Sequence, residues 1–252
     1  MKAHLHAFFS DQRVSVSRTI EGYLPKAKKA AGDQSTPDVD TVLAAIDFSA
    51  WNTLAYDLQP DIAETAQEAV ASVFARLEIS PDDSDLFNLS GTQSLDYARE
   101  RAAELVGKKW VNGELVDNPD ARWVITETTR NDLREMIAEA FEKNWTASEL
   151  AKHIDESFTF SRDRAQLIAD TETAMAQTVA TVQTGKDMGA TTKTIQMSNL
   201  HDVDDVCDAA HALGKVPIDA EYPNGALHVP LHPRCRCVEM VHLPGGDDDD
   251  DE

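Results

Sequence analysis

The chain has 252 residues, 42 % of them hydrophobic and 27 % charged, enough for one large domain or two small ones with an apolar core. Its net charge is −22; six of the negative charges form the run Asp247–Glu252, leaving −16 over the other 246 residues. That balance speaks against sequence-specific nucleic-acid binding, which depends on Lys and Arg displacing counterions. No apolar stretch approaches the roughly 20 residues of a membrane span, and the first residues lack a signal-peptide core, so no membrane partner or export is expected.

In chain order, Leu5, Phe8, Phe9, Val16, Ile20 and Leu24 recur at helical spacing until Pro25, which predicts a first helix. A charged, turn-rich connector over 26–37 precedes a short helix over 38–48 with Val42, Leu43 and Ile46. A firmer helix is expected from Asp61, with Ile62, Ala66, Ala69, Val70, Val73, Phe74 and Leu77 on one face and Ser80-Pro81-Asp82-Asp83 as its stop. Residues 92–106 read as a helix through Leu95, Ala98, Ala102 and Leu105. Between Trp110 and Asp120, the pairs Asn112-Gly113 and Asn118-Pro119 mark a hairpin-like turn.

The second half is more strongly patterned. Residues 127–144 place Leu133, Met136, Ile137, Ala140 and Phe141 on one helical face. Thr146 to Glu149 fits a capping box, opening a helix with Leu150, His153 and Ile154. The longest helix is expected from Arg162 to Met188, with Gly189 as its left-handed cap. Thr191 to Met197 reads as a strand, Asp202 to Leu213 as a helix and Cys235 to His242 as a strand, before an acidic tail. The expected fold class is α+β and predominantly helical: a helix-rich N-terminal body, then a long helix and a small α+β C-terminal end.

The three cysteines, Cys207, Cys235 and Cys237, all fall in the last fifth of the chain. An odd number argues against a disulfide framework. Cys207 and His211 share a face if they lie four apart on a helix, and Cys235 and Cys237 share a face if they lie two apart on a strand. Packing that helix on that strand would converge four ligands suited to Zn²⁺, with His232 as a substitute. The alternative is that the thiols pack a tight core while His211 and His232 make hydrogen bonds. Cys207, Leu213, Val238 and Met240 are too few for separate cores, so helix and strand are expected to share one.

The order of elements between 126 and 242 carries the most information. It runs from a helix with the core Ala169-Asp170-Thr171-Glu172-Thr173 and trailing Gly189, through a strand and an Asp-rich segment with a His, to the close His232-Pro233-Arg234-Cys235-Arg236-Cys237. This succession resembles the Mu-F-like minor head proteins of double-stranded-DNA bacteriophages, the head-morphogenesis family. The family usually has Arg just before Thr-Glu-Thr, where this chain has Asp170. The resemblance implies structural roles for Thr171, Glu172, Thr173, Gly189, His232, Pro233 and Arg236. It also implies a division into a helical region 1–125 that meets portal or capsid and a head-morphogenesis domain 126–244; the like charges after Gly245-Gly246 make 245–252 a disordered tail.

By the same resemblance the protein would be a virion component that joins the capsid precursor at the portal vertex. Its partners would be portal and capsid or scaffold proteins, with a part in genome packaging or delivery. From the residues themselves, Glu172 is expected either to pair with a basic residue across a helix interface or to lie on a solvated face. No second carboxylate or histidine stands at fixed spacing to make it an acid–base catalyst. The His-x-Glu of zinc deaminases is missing, and so are phosphate loops and nucleophile elbows. The protein is therefore expected not to be an enzyme; the alternative is a zinc-dependent hydrolase or a toxin-like effector domain.

Overall fold

The structure, a computed structural model, describes residues 1–24, 38–80, 85–200 and 206–244. The connector over 26–37, the stop at Pro81–Asp83, the beginning of the helix expected from Asp202 and the acidic tail lie outside those residues. Eight α-helices and two small antiparallel sheets make up the described chain, an α+β fold that is predominantly helical. It divides into two compact units, Met1–Gln59 with Arg99–Gln166 and Pro60–Ala98 with Leu167–Glu252. Each unit draws on both halves of the chain.

In the first unit, α1 (Lys2–Glu21) buries Leu5, Phe9, Val16 and Ile20 along one stripe and packs on α6 (Ala147–Glu156). The short α2 (Val39–Ala45) packs on α5 (Ile125–Glu142), whose Leu133, Ile137 and Ala140 are buried. Strands β1 (Lys108–Val111) and β2 (Glu114–Asp117) form the expected hairpin. Asn112 and Gly113 both take positive φ, 51° and 85°, as a two-residue turn matching strand twist requires. The capping box is formed: the Glu149 N–H donates to Thr146 Oγ1, and the Thr146 N–H donates to the Glu149 carboxylate.

Helix α7 (Arg162–Asp187) opens with a buried cation, Arg164. Its guanidinium donates to Thr129 Oγ1 at 2.9 Å, Thr159 O at 2.6 Å, Thr128 Oγ1 at 2.6 Å and Ile125 O at 3.2 Å, and lies over the Phe9 ring. Burial draws its pKa down to about 10, with the Asp132 charge opposing. A planar fork with five donors is suited to hold four acceptors from two segments of chain at once.

Two helices start earlier than their hydrophobic patterns announce. Helix α3 (Trp51–Arg76) begins at Trp51 rather than Asp61 and runs through Pro60. The proline ring removes one N–H, yet Leu54, Leu58 and Ile62 are buried at four-residue spacing on either side of it, and that packing outweighs the lost bond. Helix α4 (Asp85–Leu105) begins at Asp85 rather than 92. Its buried stripe is Ser90, Ser94, Ala98 and Ala102, while Leu95 is exposed. Ser94 Oγ donates to the Ser90 carbonyl, which lets a serine enter the interior without stranding its hydroxyl.

In the second unit, α7 ends at Gly189 with φ +96°. The Gly189 N–H donates to Lys186 O and the Ala190 N–H to Gly185 O, the paired bonds of a Schellman cap. The chain then enters β3 (Thr192–Gln196), the centre of a three-stranded antiparallel sheet between β4 (Val216–Pro217) and β5 (Val238–His242). The two-residue β4 was not expected from the sequence.

Strand β5 begins at Val238, not Cys235, so the two cysteines precede it. The pleat also overturns the expectation that Cys207, Leu213, Val238 and Met240 share one core. Cys237 and Glu239 point inward, at 8 % and 4 % exposure, so Val238 and Met240 must face outward, and they do, at 57 % and 46 %. Leu213 is likewise exposed.

Candidate functional site

The C-terminal end of the second unit gathers the chemistry-bearing residues. Helix α8 (Val206–His211) buries Cys207 and Ala210 against Ile195 of β3, Tyr222, Val229, Leu231, Cys235 and Cys237. The close His232–Cys237 is a tight turn: Arg234 takes φ +61°, and the Cys235 N–H donates to His232 O at 3.1 Å. That turn returns Cys235 beneath α8, where its Sγ lies 3.5 Å from Cys207 Sγ.

The structure brings together part of the expected ligand set. The ligand atoms of Cys207, His232 and Cys235 all lie within 4.8 Å of one another. Cys237 Sγ faces both other sulfurs and the backbone N–H of Ser198. His211 goes elsewhere: its Nδ1 is 2.7 Å from the Ile195 carbonyl. Sharing a helical face with Cys207 therefore does not bring the ring to the thiols. Burial, then the neighbouring thiols, pushes the Cys207 thiol well above its ordinary range. Burial also raises Cys237, with the Ser198 N–H pulling the other way.

One expected structural residue, Thr171, joins the same turn to α7. Thr171 Oγ1 donates to Leu167 O at 2.7 Å and accepts the Arg234 N–H at 3.3 Å. Glu172 is 2 % exposed, so of the two readings the solvated face is overturned. Thr173 is half-buried, whereas Pro233 and Arg236 are exposed. The Thr-Glu-Thr core and the His-Pro-Arg-Cys-Arg-Cys close thus meet through a backbone-to-hydroxyl bond between residues 63 apart.

Residues 131–240 match the family model described as Phage Mu protein F like protein. This segment is a Mu protein F-like region. No curated protein and no solved structure matches the chain. The Mu F-like region begins within α5 and ends within β5, so it contains the whole thiol cluster, Thr171, Glu172 and Arg234.

Sequence reasoning missed the buried ionic group that lies behind the thiols in the Mu F-like region. Lys193 and Glu239 are both fully buried as side chains, with Nζ to Oε1 at 3.5 Å. Glu239 also meets His228 Nδ1 at 3.1 Å and accepts the Val229 N–H at 3.0 Å. Lys193 Nζ donates to the Leu227 carbonyl and sits over the Tyr222 ring. Burial lowers the Lys193 pKa, and Glu239 opposes that shift. The available signal was the period-two pattern of Thr192–Gln196, which places Lys193 on the face of Ile195.

Proposed function

We propose that this protein is a minor component of a phage head that joins the capsid precursor at the portal vertex, remains in the virion and serves genome packaging or delivery. The observation that carries this reading is the match over 131–240, which spans the ordered elements from α5 to β5. Its partners on this reading are portal and capsid or scaffold proteins, and its work is binding rather than catalysis. The buried thiols support a non-catalytic role: a cysteine nucleophile needs an accessible thiolate, and burial disfavours that form at Cys207 and Cys237. Glu172, buried mid-helix, is also withdrawn from solvent.

Purified virions and proheads would be analysed by mass spectrometry, with cross-linking before disruption. The protein is expected in both particles, at a small fraction of the major capsid protein, with cross-links to portal. Absence from both particles overturns the assembly reading. Cross-links to capsid shell alone overturn the portal-vertex part.

A further inference from the structure

The convergence of Cys207, His232 and Cys235 has a geometry that simple packing does not require. A zinc–sulfur bond of about 2.3 Å places two sulfurs of a tetrahedron roughly 3.8 Å apart, with nitrogen somewhat closer. The observed Cys207–Cys235 separation is 3.5 Å, and the His232 ligand atom lies within 4.8 Å of both sulfurs. His232 Nδ1 is 2.9 Å from the Pro233 carbonyl. A carbonyl only accepts, so Nδ1 carries the proton, which makes Nε2 the nitrogen with the lone pair. The Ser198 N–H directed at Cys237 supplies the kind of donor that steadies a thiolate.

We propose that Cys207, His232, Cys235 and Cys237 form a structural zinc site in which α8 and the turn before β5 are joined through the metal. Three thiols lose their protons to solvent on binding, and the dication offsets the negative charge that burial otherwise disfavours. The site has four protein ligands and leaves no position for a substrate, so its role is to hold the fold rather than to catalyse. His211, engaged with the Ile195 carbonyl, is outside the set. The inference rests on geometry and is independent of the head-protein reading.

The full chain would be purified without a metal-binding tag and its zinc measured by elemental analysis. About one zinc per chain is expected, retained in His211→Ala and lost in Cys235→Ser. Chelation should lower the melting temperature of the parent protein. Replacement of zinc by cobalt gives a readout that does not depend on a variant folding. Intense tetrahedral d–d bands with sulfur-to-cobalt charge transfer are expected, and the charge transfer should strengthen in His232→Cys. Folded, metal-free protein whose added cobalt stays six-coordinate overturns the site. Zinc retained at full occupancy in Cys235→Ser does so too, as does a Cys207–Cys235 disulfide in protein isolated with its thiols blocked.

Discussion

At the scale of single residues, the Lys193–Glu239 pair has the greatest consequence for stability. A buried pair gains little over an apolar pair of the same shape, but breaking it leaves one charge without its partner in a dry interior. Lys193→Met should therefore cost about 3–5 kcal/mol, read from denaturant melts. Adding Glu239→Leu should restore part of that loss, with a coupling energy of about 0.5–3 kcal/mol. A single variant within about 0.5 kcal/mol of the parent would show that the pair contributes nothing. The sequence made the thiols and His232 legible by residue type and proximity to the chain's end. It could not sort His211 from His232, because that choice is made by the positive φ at Arg234 and by the Ile195 carbonyl, neither of which is written in spacing. Lys193 and Glu239 stayed hidden for a related reason: charge alone reads as exposure, and only the partner across the sheet reverses it.

At the scale of elements, ends with dedicated chemistry were the easiest to read. The capping box at Thr146, the Asn112-Gly113 turn and the Gly189 cap all sit where the residues demand, since each needs a particular side chain or a positive φ. Helix starts masked by Pro60 or by buried serines were lost, because both depart from the apolar pattern that the reading relied on. One close approach is equally invisible in sequence. A Cβ added at Gly185 of α7 would lie 2.6 Å from Val241 Cγ2 of β5, inside any real contact. Gly185→Ala should thus destabilise by about 1–3 kcal/mol despite the better helix propensity of alanine. Val241→Ala in the same chain should recover much of the loss, and a thermally neutral Gly185→Ala would refute the clash.

For the whole molecule, charge makes the clearest forecast. At −22, long-range repulsion should keep the chain off duplex DNA near physiological salt, where screening acts over about 8 Å. Fluorescence anisotropy at about 0.15 M salt should show binding weaker than micromolar; sub-micromolar affinity would reveal a local basic surface strong enough to defeat the total. The α+β, mostly helical class was legible because helical periodicity is local. Which segments group into a compact unit, by contrast, depends on contacts between stretches distant in sequence.

That interleaving has a consequence for the order in which the protein can be made. The first unit is complete once residue 166 has left the ribosome, but Pro60–Ala98 belongs with chain that starts only at Leu167. At about 5–20 residues per second, helical surface from that early stretch waits several seconds for its companions. During synthesis the polypeptide should thus carry incompletely buried apolar residues such as Ile62 and Val70, which are covered in the finished fold. A nascent chain stalled just after residue 166 should hold a protected first unit while its 60–98 stretch stays open to protease and to chaperones.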